Sequence, residues 1–299
     1  MKLWVYEYLS GGGMVGGDAA GQAELLAQGL AMREALIADL ARIPGCRASH
    51  APAHGDETPV ELVRRQAALH DFVWVVAPES EGLLARLCEA VHPARWIGCS
   101  AEAIRLATSK RATVEHLSQA GLPTPLAFVQ RATAWIVKPD DGAGTLDTQR
   151  HASLAAARAD VARRRQAGSD ATLEAWVDGE ALSMSLLCAD GSAGLLAVNR
   201  QHIAVDGDGQ LHFDGVQANA LPPGEPRHRG LRELAKRIAR ALPGLRGFVG
   251  VDLVWHAERG PVVIEVNPRV TSAYVGLSAA LGRNVAAEVL ALQRSAAHV

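Results

Sequence analysis

The chain has 299 residues, 48% hydrophobic and 21% charged, with a formal net charge of −2. That length allows two domains and a substantial core. The near-neutral balance gives no footing for a nucleic acid or an acidic membrane, and no uncharged apolar run reaches the ~18 residues of a membrane span. The start, MKLWVYEYLSGGG, carries Glu7 inside its apolar run and is too short for a signal sequence. Cys46, Cys88, Cys99 and Cys188 lack metal-site or redox spacing, so reduced thiols in a cytoplasmic protein are expected.

Residues 3 to 8, LWVYEY, predict a first strand, followed by SGGGMVGGD and an Ala/Leu-rich helix from about Asp18 to Arg42. Gly11, Gly13 and Gly16 match G-x-G-x-x-G between strand and helix, a dinucleotide fingerprint. That fingerprint needs an acidic residue closing the next strand, and the Pro/His-rich region from Pro44 to Pro59 predicts no strand. A flexible turn bringing backbone close to a ligand or another loop is the modest reading. His50 and His54 have helical spacing, but Pro52 between them rules out a helical metal pair. Thr58-Pro59-Val60-Glu61 forms a capping-box start for a helix to about His70. DFVWVVA (71–77) predicts a buried strand, then the PESEG loop, a helix to about His92 and a short strand at Trp96 to Gly98. Strands alternating with helices imply a parallel sheet whose carboxyl ends face a site. Glu79 and Glu81, just past a strand, are either substrate contacts or solvated caps.

Beyond Ser100 the pattern changes. Ser109 starts the helix KRATVEHLSQA, which stops at Gly121; Ala134 to Val137 predicts a strand ending in Lys138-Pro139, then DDGAGT. A lysine at a strand end beside a Gly-rich loop suits phosphate, although a hairpin turn gives the same pattern and the P-loop spacing is absent. An Ala/Arg-rich helix covers residues 152 to 167, with Arg163-Arg164-Arg165 on its solvated face. Short strands follow: Ala171 to Val177, ALSMSLLC, GLLAVN and QHIAV. Asp206-Gly207-Asp208-Gly209 departs from a calcium loop at Leu211, where glycine is required, and reads as a hairpin turn. Pro226 to Leu242 is a basic amphipathic helix, and Thr271 to about Gln293 is mostly helical with a break at Gly282.

Between these lies GVDLVWHAERGPVVIEVNPR, from Gly250 to Arg269. It predicts two strands and a turn. Glu265 and Asn267 share one strand face. A hairpin centred between Glu258 and Arg259 sets Asp252 opposite Glu265. Three oxygen-bearing side chains on one patch suit a hard divalent cation with phosphate oxygens and water as further ligands. A hairpin with a wet face is the alternative, but unpaired carboxylates in an apolar run are costly.

Taken in this order, the segments from roughly Ile104 to Val299 resemble the ATP-grasp ligases. KRATVEHLSQAGLPTP is similar to the element that opens these domains, WIVKPDDGAGT to their second lysine and Gly-rich loop, LEAWVDGE to their adenine hinge, and VDLVW…VVIEVNPR to their metal hairpin. A narrower resemblance, in VYEYLSGGG, APESEG and EVNPRVTSAYVGLSAALG, is to the tyramine–glutamate ligase group of methanofuran biosynthesis. The resemblance implies an α/β fold: a parallel pre-ATP-grasp domain over 1–103, then a two-subdomain ATP-grasp fold with antiparallel sheets over 104–299, divided at residue 170. It implies ATP as cosubstrate, held by Lys110, Lys138, Gly142 and Gly144, with Glu174, Ala175, Trp176 and Val177 around the purine and Glu180 on the ribose. It implies Mg²⁺ or Mn²⁺ on Asp252, Glu265 and Asn267.

The implied chemistry is amide ligation through an acyl phosphate, joining glutamate to tyramine or tyrosine. Lys138, Arg269 and Arg200 would stabilise the transferring group. Asn199 and Arg200 otherwise have plain surface roles. Thr271, Ser272 and Tyr274 would cover the substrate pocket, or serve as cap and packing. A homodimer is the base-rate expectation. Three alternatives remain: a ligase for other substrates, a non-catalytic nucleotide sensor, and an NAD(P) oxidoreductase built on the N-terminal glycines.

Overall fold

The computed structural model of the chain describes residues 1–14, 19–51, 56–142 and 145–296. It opens with a parallel sheet of β1 (Lys2–Glu7), β2 (Arg47–Ser49), β3 (Phe72–Val76) and β4 (Trp96–Ile97), in the order β2-β1-β3-β4. Between the strands run α1 (Ala19–Ala41), α2 (Pro59–Leu69) and α3 (Leu83–Glu89). β1 and β3 are buried almost throughout, as strands covered on both faces must be. α2 starts where the sequence predicts, with Thr58 and Glu61 bonded reciprocally as a capping box. β2 is a correction to the expectation of no strand before Pro59. It is three residues long, largely exposed, and held by backbone pairing to β1, which leaves no hydrophobic signature.

The N-terminal glycines do not form a phosphate cradle among the described residues. The amides of Leu9 and Ser10 donate to the Glu7 carboxylate at 3.2 and 2.7 Å. Those of Gly11, Gly12 and Gly13 donate to carbonyls of the same turn. β2 ends at Ser49 rather than at an acid. Gly16 lies outside the described residues.

α4 (Ala101–Thr108), which the sequence reading missed, and α5 (Lys110–Gln119) follow, capped by Ser100 and Ser109. A small antiparallel sheet in the order β6-β5-β7 comes next, from β5 (Trp135–Pro139), β6 (Gln149–His151) and β7 (Ala171–Ala175), with α6 (Leu154–Gln166) against it. Its core of Trp135, Val137, Ala157, Ala171 and Ala175 is separate from the main cores. The expected division at residue 170 falls inside this unit, because β7 completes the sheet by pairing with β5. Arg164 is also corrected from solvated face to anchor. Its side chain is 12% exposed, and it bonds Asp160 and the carbonyl of Asp147.

The large antiparallel sheet has the order β10-β9-β8-β11-β12. Its strands are β8 (Glu180–Ala189), β9 (Ser192–Val205), β10 (Leu211–Gln217), β11 (Gly247–His256) and β12 (Gly260–Asn267). GLLAVN and QHIAV form one long strand, β9. Leu182, Met184, Val198, Val251, Leu253 and Val266 point to one face, where α7 (Pro226–Ala241) shares their core. The β9–β10 turn docks on the small unit: Arg150 donates its amide to Gly209 O at 2.8 Å, and Leu211 donates to Thr148 O at 2.9 Å. The C-terminal α8 (Leu277–Leu281) and α9 (Val285–Ala296) close the chain. α9 packs with the parallel sheet and Phe248 in a second core. Of the two expectations for Tyr274, packing is the one realised: its ring meets Trp74 and Phe248 in that core, and its hydroxyl donates to Asp39 at 2.7 Å. Among the described residues no helix is long and apolar enough to cross a membrane.

Candidate active site

The register of the large sheet builds the site. Asn199, Ser183, Asp252 and Glu265 lie in one cross-strand row over β9, β8, β11 and β12. Period-2 alternation puts all four on the face opposite the α7 core. The next row along brings Gly250 and Asn267 together. Asp252 does pair with Glu265, though by a route other than the expected one. The hairpin tip pairs His256 with Gly260, which centres the turn on Glu258, and a bulge between Leu253 and Asp252 shifts the register by one. Gly250 is required here, since a Cβ would stand 2.6 Å from Thr271 Cγ2.

The Asp252 carboxylate accepts from Asn267 Nδ2 at 3.0 Å and from Gln201 Nε2 at 2.9 Å. Gln201 was missed from the sequence, although it shares a face with the flagged Asn199, two residues away. Burial first, and then the charge of Glu265, push the Asp252 carboxyl up to about 7. A bound cation would relieve both effects, so the donor set fits a divalent metal. The group is two carboxylates and an amide; among the described residues no three His, Cys, Asp or Glu side chains converge. Lys110 stands in for part of that positive charge: its ammonium lies 3.2 Å from Glu265 Oε1 and donates to Gly142 O at 2.9 Å. Burial would lower its proton affinity, but Glu265 and Glu79 more than compensate and hold it above the usual lysine value.

Lys138 and Glu174 face each other across β5 and β7 at 2.9 Å, both buried. Glu174 Oε1 has no hydrogen-bond partner. A buried acceptor without a donor is costly, and an exocyclic amine or hydroxyl of a nucleotide would satisfy it. Trp176 donates its amide to Ala134 O and its indole N–H to Asp178, and Arg150 lies 5.2 Å from the ring centre. Ala175 and Val177 are buried beside it. The base of the Gly-rich loop is fixed by Asp140, whose carboxylate accepts from Ser109 Oγ, the Arg111 amide and Thr172 Oγ1. Although burial opposes it, these bonds hold the Asp140 carboxyl below its usual value. Gly142 has φ of 110°, which a glycine supplies without strain. Gly144 lies outside the described residues.

Arg269, just past β12, is half-buried and paired with the buried Glu79, which follows β3. Nε lies 2.9 Å from Oε1, and Nη2 donates to Oε2 at 2.9 Å. Glu79 is therefore an arginine partner and not a solvated cap. Three other residues stand apart from this cluster. Arg200 pairs with Leu182 in register and so lies on the sheet face away from Asp252. Its guanidinium is bound to Glu180 at 2.7 Å, and Arg227 takes the other Glu180 oxygen at 2.6 Å. The expectation for Arg200 at the reacting centre is corrected on these grounds, and Glu180 meets two arginines at the start of β8. Asn199 is fully buried and bonds Ser183, Ser185 and the Asn219 amide, tying strands together.

The ATP-grasp domain model matches residues 107–273, and the pre ATP-grasp 3 domain model matches residues 31–104. The chain belongs to the ATP-grasp family. Within the curated proteins, this ATP-grasp chain is 29% identical over 209 residues to tyramine–L-glutamate ligase of Methanocaldococcus jannaschii. It is 28% identical over 212 residues to that of Methanocaldococcus fervens. Each match covers 69% of this chain, and spans 58% and 61% of the two relatives. Among solved structures, an ATP-grasp superfamily protein from Archaeoglobus fulgidus superposes with a TM-score of 0.71 at 20% identity, covering 97% of this chain and 88% of that one. D-alanine–D-alanine ligase from Bacillus anthracis gives 0.69 at 14% identity, covering 100% and 99%. These two likenesses speak to the fold alone.

Proposed function

We propose that the protein is an ATP-dependent carboxylate–amine ligase that joins glutamate to tyramine, or to a closely related amine, through an acyl phosphate. One observation carries the reading: Asp252, Glu265 and Asn267 share a half-buried patch with the buried Lys110, with the buried Lys138 and the half-buried Arg269 as further cations of the site. Two carboxylates and three basic groups largely shielded from water fit a metal-bound triphosphate. The choice of glutamate and tyramine rests on the similarity to the Methanocaldococcus enzymes.

In this reading a substrate carboxylate oxygen attacks the γ-phosphorus of ATP and ADP leaves. The amine nitrogen then attacks the acyl carbon, and phosphate leaves with the former carboxylate oxygen. Lys110 and Lys138 neutralise phosphate oxygens, and Arg269 faces the transferring group. Mg²⁺ or Mn²⁺ on Asp252, Glu265 and Asn267 would supply further charge neutralisation. Glu265 then has to exchange Lys110 for the metal, which frees the ammonium for phosphate. Asp140 keeps α5 and the Gly-rich loop in register, so that Lys110 reaches the site.

The test is ADP release with glutamate and tyramine, separately and together, with mass analysis of the product. ADP that forms only with both, alongside the γ-glutamyl amide mass, supports the reading. ADP with a different carboxylate–amine pair retains the ligase and removes these substrates. ATP binding without turnover on any pair removes the ligase.

A further inference from the structure

We infer that Glu79, in the parallel-sheet unit, is a positioning residue that aims Arg269 at the reacting phosphoryl group; this rests on the ligase reading above. Arg269 has five N–H groups. Nη2 donates one hydrogen to Glu79 Oε2 at 2.9 Å, Nη1 donates one to Val270 O at 3.2 Å, and Nε lies 2.9 Å from Glu79 Oε1 as an ion-pair contact without a hydrogen bond. One N–H then remains on each of Nη1 and Nη2, and together they form a second fork for an oxyanion. The Glu79 grip fixes the guanidinium plane and hence the direction of that fork. Arg269 follows Asn267 by two residues, just past the strand that carries Glu265, and Asp252 and Glu265 also contribute to the field around it.

The grip comes from a different unit of the fold. Glu79 sits just past β3, at the carboxyl edge of the parallel sheet, where such sheets present ligand-facing groups. Its side chain is 4% exposed, so the pair is out of water and its geometry is well defined. The same turn holds the phosphate loop. Two residues on, the Glu81 amide donates to Asp141 Oδ2 at 2.6 Å, and Glu81 adopts φ of 53° to present it. One short turn thus fixes Arg269 on the large sheet and Asp141 beside the Gly-rich loop. The charge of Glu79 reaches Lys110 as well.

The experiment is a double-mutant cycle of Glu79→Gln and Arg269→Lys, read in two ways. The first readout is kcat and KM for ATP with the productive substrate pair. Glu79→Gln lowers kcat by about 10- to 100-fold, the scale of a misaimed catalytic group, and leaves KM for ATP within about 2-fold. In the Arg269→Lys background it costs nothing further. The second readout needs no acceptor substrate. It is the extra thermal stabilisation of the Mg²⁺·ADP complex on adding aluminium fluoride, a phosphoryl mimic. Glu79→Gln abolishes that increment but retains the ADP shift, and Glu79→Asp restores part of it. If the two substitutions multiply in kcat, or the fluoride increment survives Glu79→Gln, Glu79 only compensates charge and the inference is overturned. A wild-type enzyme that turns over no substrate pair removes the ligase reading instead, while the fluoride increment still decides the role of Glu79.

Discussion

Asp252→Asn should stabilise the metal-free protein at pH 8 relative to pH 5. The native carboxyl titrates near 7, raised first by burial and then by Glu265. In the unfolded chain it titrates at the ordinary value of 3.8. A raised carboxyl means that the native state holds its proton longer, so this group erodes stability as pH climbs from 3.8 to 7. Between pH 5 and 8 the loss reaches about 3 kcal/mol as an upper bound. Asp252 keeps partial solvent contact, which scales that down to about 1–2 kcal/mol. For a chain of this size, that corresponds to roughly 2–8 °C in Tm. Asn267 or Gln201 must flip its amide to suit the new side chain, but that cost is the same at both pH values and cancels. The assay is urea unfolding of both proteins in EDTA at pH 5 and pH 8. A difference between variant and wild type that does not change with pH would refute the buried-carboxylate argument. Adding Mg²⁺ at pH 8 should reverse the order, since only the wild type gains a cation.

Three other outcomes follow from the geometry. Lys138→Ala should lower kcat/KM at least about 10²-fold; because it also strands the buried Glu174 carboxylate, it should lower Tm, and adding Glu174→Gln should restore Tm but not activity. Tyr274→Phe should cost about 1 kcal/mol in urea unfolding through the lost bond to Asp39, with steady-state kinetics unchanged. Gly209→Ala places a Cβ 2.4 Å from Arg150 O, so it should push the β9–β10 turn off the small unit and raise KM for ATP several-fold, while Gly207→Ala, which has open space, should not.

Much of the fold and part of the site were legible in the sequence, for reasons specific to each residue. Thr58, Ser109 and the Gly250–Arg269 hairpin were readable because caps and hairpins are local. Lys138 was marked by its position at a strand end, and Lys110 by the resemblance of its helix to the element that opens ATP-grasp domains. The placement of Glu180 and Arg200 has a different origin. Which face they occupy depends on the register of β8 against β9 and β11, set by pairings that no short window contains. The choice between pocket and packing stayed open for Tyr274 because its partner, Asp39, is 235 residues away. Glu79 and Arg269 are 190 residues apart, and only the packing of the parallel sheet against the large sheet joins them. β2 left no pattern because it is three residues long and mostly exposed, paired through its backbone to β1.

The central claim, transfer of a phosphoryl group to a carboxylate, is tested most directly by isotope transfer. Glutamate labelled with ¹⁸O in its carboxylates is incubated with ATP, Mg²⁺ and tyramine, and the released phosphate is weighed by mass spectrometry. An acyl phosphate requires one ¹⁸O per phosphate released, at the same rate as amide formation. Amide formation with unlabelled phosphate would contradict the account, since the carboxylate oxygen would then have left by another route.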